Sequence, residues 1–414
     1  MLNIFIMKLI EFQSLKCSFC NLFLFLNEVL IGKMKKYLPL FLFVFVLSSC
    51  IKDELMNAEC DILNAWVEGD QYKENFYEAS QMRMENISSA EKEIIFTVRS
   101  LISLPKEMPV FFDVTPGATI EPASGTVQDF TKGPVVYTVT SQDGAWKRQY
   151  TVSFREASLP TYVYSFENFN TVKSGTNYYH EFYEIDHDGT PIYLWATGNS
   201  GAVLIKKDSQ PEDQPTYSMV NGYKGRGVCL NTQGTGQLGE YMKKPIAAGN
   251  LFMGKFIFDN LLFNPLQTTQ FGYVIDREPV RITGYYKYHP GPVFTDMNKK
   301  EVPGRVDEPS IYAVFYRNKD EQGNKVFLYG DDVLTSPYIV SKAQVASLPP
   351  TDEWTRFEMF FEGEDADNAM VAEKAYNLTI VFSSSKDGAA FEGAIGSELC
   401  IDEVEISFEK PDNE

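Results

Sequence analysis

The clearest pattern in this chain is period-two alternation of apolar and polar side chains. Val135, Tyr137 and Val139 interleave with Val136, Thr138 and Thr140, and the turn Ser141-Gln142-Asp143-Gly144 follows. Beyond it Trp146, Tyr150, Val152 and Phe154 fall on one face, with Lys147, Gln149, Thr151 and Ser153 on the other. Successive strand side chains point to opposite faces, and Asp-Gly suits tight hairpin turns, so this stretch predicts a hairpin. Strand-length apolar runs recur at Tyr162–Phe166, Val280–Tyr288, Ile311–Tyr316, Phe357–Phe361, Tyr376–Phe382 and Leu399–Phe408. Gly323-Asn324 and Asp387-Gly388 mark turns, and Glu362 to Asp367 form an acidic loop. Long helical periodicity is missing, so the chain is expected to be all-β. About 360 residues beyond the N-terminal apolar runs suit two or three domains. The division is placed near Ala157-Ser158-Leu159-Pro160-Thr161, giving a first domain over 57–157 and a second over 158–410.

Two apolar runs at the N-terminus are assigned to targeting, not to the fold. Lys35 and Lys36 form a basic tip, Leu38 to Leu47 an apolar run, and Ser48-Ser49 two small residues before Cys50. That order is the grammar of a secretory signal. The run is short for the roughly 30 Å hydrocarbon core of a bilayer. The signal peptide is therefore placed at 34–49, with 1–33 expected to be an over-extended gene start. Cys17-Ser18-Phe19-Cys20 has CxxC spacing but no second pair, and it falls in that doubtful segment, so it is given no role. Leu47-Ser48-Ser49-Cys50 resembles the bacterial lipobox. The resemblance implies lipid on Cys50, a tether over 50–56 and anchorage in the outer membrane. Ile51-Lys52-Asp53-Glu54 resembles the export tag of surface lipoproteins in some Gram-negative gut anaerobes, which implies cell-surface exposure.

Charge narrows the partners. The 37 basic and 56 acidic side chains of the chain lose five and two to residues 1–49, which leaves 32 and 54 and a net charge of −22. Such a body is repelled by nucleic acid and by anionic lipid, so no nucleic-acid partner is expected and the lipid must act as the anchor. Cys60, Cys229 and Cys400 remain beyond Cys50. They make no disulfide framework by number, and Cys229 and Cys400, in apolar runs, are expected to pack as small buried hydrophobes.

Several residues could carry chemistry. In the last strand Asp402 has the parity of Cys400, Val404, Ile406 and Phe408, which read as the core face. A carboxylate there must be hydrogen-bonded, paired or metal-bound, or else a bulge turns it out. In Val280–Tyr288 one face holds Val280, Ile282, Tyr286 and Tyr288, and the other Arg281, Thr283, Tyr285 and Lys287. Tyr285 thus sits among polar neighbours, and Trp195 stands at a strand end before Gly198-Asn199. Sugar sites stack pyranose rings on such aromatics, with polar groups reading the hydroxyls, so Trp195, Tyr285, Arg281 and Lys287 are the candidate carbohydrate-binding residues; packing is the competing use of the same aromatics. Paired carboxylates for glycoside hydrolysis cannot be picked out of so acidic a chain. His180, His187 and His289 are too few and too scattered for a zinc site or a triad. Asp186-His187-Asp188-Gly189 is assigned to a hairpin turn. Gly222 to Gly227 lacks the Gly-Lys-Ser/Thr end of a phosphate loop, and its glycines mark a bulge or a close backbone approach.

Two resemblances extend this picture. Val114 to Gly125, followed by the hairpin, resembles immunoglobulin-like spacer domains of secreted bacterial proteins. That implies an N-terminal immunoglobulin-like β-sandwich without chemistry of its own. Trp195-Ala196-Thr197-Gly198-Asn199, Gly222 to Val228, Ala247 to Phe252, Ile282 to Tyr288, Ile380 to Ser385 and Ile401-Asp402-Glu403-Val404 together resemble the putative carbohydrate metabolism domain lipoproteins of gut anaerobes. That resemblance implies a larger jelly-roll sandwich of the carbohydrate-binding-module kind. By the same resemblance one structural calcium is expected at Asp402, with a partner such as Glu167. The implied function is non-catalytic glycan binding at the cell surface in support of polysaccharide use, alongside surface glycan-uptake partners. A glycoside hydrolase using paired carboxylates and a structural or adhesion protein without a sugar site are the alternatives.

Overall fold

The computed structural model describes residues 56–260 and 264–409. The signal peptide, Cys50 and nearly all of the tether lie outside the described residues. The chain divides into two compact units at Ala157/Ser158. Among the described residues no helix is long and apolar enough to cross a membrane.

The first unit contains β1 (Ile62–Trp66), β2 (Arg83–Met84), β3 (Glu93–Val98), β4 (Phe111–Val114), β5 (Thr119–Glu121), β6 (Val135–Thr140) and β7 (Lys147–Glu156). One sheet runs β2-β1-β4 and another β3-β7-β6-β5. The expected hairpin is β6–β7, with Tyr137 opposite Tyr150. Ile62, Ile94, Phe96, Tyr137, Val139, Tyr150 and Val152 fill the core. Trp146 does not join them. Its backbone N–H and carbonyl close the turn on the Ser141 hydroxyl, so strand pairing starts only at Lys147 and the indole stays 63% exposed.

The second unit contains β8 (Thr161–Tyr164), β9 (Trp195–Ala196), β10 (Thr216–Val220), β11 (Arg226–Asn231), β12 (Asn250–Phe256), β13 (Pro279–His289), β14 (Ser310–Arg317), β15 (Ile339–Gln344), β16 (Thr351–Phe360), β17 (Tyr376–Ser383) and β18 (Glu398–Phe408). A front sheet runs β10-β11-β18-β13-β16, and a back sheet includes β9-β12-β17-β14-β15. All of these pairings are antiparallel. The architecture is a jelly-roll-type sandwich. Ile282, Tyr286, Tyr288, Leu399, Ile401, Val404 and Ile406 of the front sheet pack on Leu251, Met253, Phe315, Leu378, Ile380 and Phe382 of the back sheet. On its far side the back sheet carries a second cluster, in which Phe252, Val314, Tyr316 and Val381 are covered by Phe271, Leu328 and Val333. Among the described residues no such apolar cluster lies over the outer face of the front sheet, although Arg281, Thr283 and Ser407 on that face are buried.

Two expectations fail in the last strand. Tyr285 pairs with Asp402 and Thr283 with Glu405, so Gly284 alone faces Glu403 and Val404. Glu403 has φ +46°. This β-bulge flips the side-chain parity. Before it the core side is Leu399 and Ile401; after it the core side is Val404, Ile406 and Phe408. Cys400 and Asp402 therefore face outward. Nor are Cys229 and Cys400 free thiols packed as hydrophobes. They lie directly opposite each other in β11 and β18, with Cα atoms 4.1 Å apart, and form a disulfide. Directly opposed residues of an antiparallel pair come close enough for this bond, although 171 residues separate them in sequence.

Candidate functional site

The edge of β18 is shared between two partners. β11 pairs with its residues 398–401 and β8 with 404–407, so the changeover falls at Asp402-Glu403. The β10–β11 turn, residues 221–225, folds over this break. Gly222 approaches so closely that a Cβ there would stand 2.6 Å from Asp402 Oδ2, and Gly225 has φ +66°. Both explain why the turn is glycine-rich. Two carboxylates fix it. Asp402 Oδ2 accepts from Lys224 N–H at 2.8 Å, Asp402 Oδ1 accepts from Glu403 N–H at 2.8 Å, and Glu167 Oε1 accepts from Arg226 N–H at 2.8 Å.

Asp402 is fully buried, and burial pushes its pKa up to about 6 against the pull of these amides. Calcium takes six to eight oxygens. Here both Asp402 oxygens already meet N–H donors, which present positive hydrogens where a cation would bind. Among the described residues, the acidic, histidine and cysteine side chains that converge closely enough for a metal are Cys229, Glu398 and Cys400, and the two cysteines are bonded to each other. These amide bonds account for the buried carboxylate without a cation. We expect neither EDTA nor added calcium to move the melting temperature; a calcium-dependent rise would show that these bonds rearrange around a cation.

The fixed turn carries Tyr223 onto the front sheet. Its ring stacks on Tyr285 with centroids 3.5 Å apart and planes 8° from parallel. A hydrogen bond with Tyr223, and burial second, hold the Tyr285 hydroxyl above the usual phenol range. On the same face Tyr285 pairs with Arg356 of β16, and Lys287 Nζ lies 5.3 Å over the Trp354 ring. Tyr223 is 48% exposed, while Tyr285, Lys287, Trp354 and Arg356 are half-buried. Of the expected residues, Tyr285 and Lys287 thus share an accessible face. Arg281 belongs to that face by register, but it is buried, with its guanidinium 3.5 Å from Glu358. Trp195 is 4% exposed and packs edge-on against Tyr164 and beside Phe166 and Phe382 in the core, where it offers no face to a ligand. Tyr223 and Trp354 were not among the expected residues. Tyr223 lay in a segment read for its glycines and its family resemblance but not for its ring, and β16 begins six residues before the strand expected at Phe357.

Trp195 has a different role. Its indole N–H donates to Glu184 Oε1 at 2.8 Å. Burial pushes the pKa of Glu184 up to about 7, opposed by that bond and by one with Tyr162. The folded protein therefore holds a proton that the unfolded chain releases near pH 4.5. Between about pH 4.5 and 7 the folded state binds more protons, so stability falls as pH rises through that window and levels off above it. Asp402 adds the same sign of slope below about pH 6. Glu184→Gln keeps an acceptor for Trp195 without a charge. It should raise stability at pH 8 by about 1–3 kcal/mol and flatten the slope. Urea unfolding of both proteins at pH 5 and pH 8 measures this; a variant weaker than wild type at pH 8 would mean that the ionised carboxylate is needed.

Comparison with known proteins follows the same division. The family model described as "Putative carbohydrate metabolism domain" matches residues 165–407, and the model described as "SGBP, N-terminal", for surface glycan-binding proteins, matches residues 77–154. A search of curated proteins gives no match. Among solved structures, one called a putative glycoside hydrolase from Bacteroides thetaiotaomicron VPI-5482 is 37% identical, with 87% of this chain and 100% of that chain covered and a TM-score of 0.55. Another of the same description from Bacteroides vulgatus ATCC 8482 is also 37% identical, with 61% and 99% covered and a TM-score of 0.56. With a matching family model across most of the second unit and these two relatives covered almost end to end, the chain belongs to the putative carbohydrate metabolism domain family.

Proposed function

We propose that this protein binds glycan without cleaving it, at the cell surface, through the outer face of the front sheet. The observation that carries the proposal is the Tyr223–Tyr285 stack on a face with no apolar cover, beside Trp354, Lys287 and Arg356. Flat rings suit pyranose faces, and nearby polar groups suit hydroxyls. The braced turn holds Tyr223 in place before a ligand arrives, which lowers the ordering cost of binding. In this reading the first unit is a spacer and the lipid on Cys50 is the outer-membrane anchor, and surface glycan-uptake proteins are the partners. The match of residues 77–154 to the SGBP N-terminal model supports a surface location.

Hydrolysis is the second reading, because the two Bacteroides relatives are called putative glycoside hydrolases. It needs two carboxyl groups flanking the scissile bond. The three carboxyls with raised pKa values among the described residues have separate duties: Glu184 bonds Trp195 of the core, Asp402 lies on the outer side of the front sheet beneath the turn, and Glu278 accepts from Ala366 N–H. Retention in polysaccharide affinity gels, run beside a reducing-end assay on the same polysaccharides, tests the choice. Retention without product supports binding. New reducing ends would sink the non-catalytic proposal, and no retention on any polysaccharide would sink glycan binding by this face.

A further inference from the structure

At the end of the sandwich where β13, β14 and β15 meet, lined by other residues than the Tyr223–Tyr285 stack, lies a cavity of about 350 Å³. Tyr288, Pro309, Leu348 and Pro349 supply apolar wall, and Ser310 and Gln344 supply neutral polar groups. Three features indicate a site built in advance of a ligand. Asp307 is buried, and its Oδ2 accepts from Ser385 Oγ at 2.6 Å, Ser397 Oγ at 2.7 Å and Ala394 N–H at 2.8 Å, which ties three segments together at the floor. The Tyr286 hydroxyl donates to the Pro349 carbonyl at 3.1 Å, and Val345 N–H donates to the Ile311 carbonyl at 3.1 Å, so the 345–350 rim is pinned at both ends. Lys386 N–H donates to the Glu308 carbonyl at 2.7 Å, which fixes the opposite rim.

Charge and size select the ligand. Glu308 and Lys386, the exposed charges of the lining, face each other at 3.5 Å, so the rim favours neither an anion nor a cation. The charge of Asp307 is taken up by the floor. What remains is a concave surface that combines ring and proline walls with hydroxyl and amide groups. Its volume sits at the small end of the range for ligand sites, roughly 300–1,000 Å³. We propose that this cavity binds a neutral saccharide of one or two residues, and so receives a chain end while the front sheet takes a chain interior. The choice of a saccharide rests on the glycan-binding reading of this unit; the cavity, its braced rim and its neutrality do not.

Saturation-transfer NMR on the protein with neutral monosaccharides (glucose, galactose, mannose, xylose) and their β-linked disaccharides tests the proposal. Ala346 is exposed in the lining, so Ala346→Trp fills the space without burdening the core. Run in the Tyr223→Ala background, which takes the front-face platform out of the measurement, the expected result is binding of at least one sugar, weakened about tenfold or more by adding Ala346→Trp and less by adding Gln344→Ala. An unchanged melting temperature keeps the Ala346→Trp result interpretable. Absence of binding by every sugar in that background, or survival of binding once Ala346→Trp is added, would overturn the cavity assignment. Polysaccharide gels on the wild-type protein separate the two readings. Retention with no small-sugar binding removes only the cavity, and small-sugar binding with no retention removes only the front face.

Discussion

Replacing Cys229 and Cys400 together by alanine should lower the stability of the second unit by about 3–5 kcal/mol. The bond closes a loop between residues 171 positions apart, and a loop that long is among the more effective constraints on an unfolded chain. β11 pairs with β18 only from Val228 to Asn231, and its other neighbour, β10, is the edge of the sheet. Both cysteines are buried, and alanine leaves no unsatisfied polar atom behind. Urea unfolding should show a lower midpoint for the double variant. Dithiothreitol should move wild type toward the variant and leave the variant where it is. Equal midpoints for the two oxidised proteins would mean that the disulfide does not form or closes nothing of consequence.

Much of the architecture was legible because alternation is local. The split of β13 into Ile282, Tyr286 and Tyr288 on one side and Thr283, Tyr285 and Lys287 on the other appears in the sandwich as expected. The same rule misled in β18. A single extra residue reverses parity, and Glu403 adopts φ +46° without the glycine that would announce it. Asp402 and Cys400 were therefore assigned to the wrong side of the sheet. The remaining misses share one cause: they are pairings between distant segments. Cys229 with Cys400, Lys224 with Asp402 and Tyr223 with Tyr285 each depend on which strand edges meet, and no local pattern carries that. Trp195 failed for a simpler reason. An aromatic at a strand end serves packing or recognition equally well on paper, and only its neighbours Tyr164, Phe166 and Phe382 decide.

Tyr223→Ala should reduce glycan affinity by about 2 kcal/mol, roughly thirtyfold, with little loss of stability. The asymmetry between the two effects is the point of the test. Tyr223 is 48% exposed on a surface turn, so removing its ring takes away little buried area. The turn itself stays fixed, because Lys224 and Arg226 reach Asp402 and Glu167 through backbone N–H groups that the substitution leaves alone. Tyr285→Ala should match the loss of affinity and cost more stability, since Tyr285 sits within β13 with cross-strand neighbours at Arg356 and Asp402. Tyr223→Phe distinguishes ring from hydroxyl. If stacking carries recognition, Phe keeps most of the affinity; if the hydrogen bond between the two tyrosines orients the platform, Phe falls partway to Ala. Affinity-gel mobility of the three variants, beside their urea midpoints, gives both quantities. Undiminished affinity in both alanine variants would remove the front sheet from glycan binding. A loss that merely followed the urea midpoints would assign the two tyrosines to holding the turn rather than to holding a sugar.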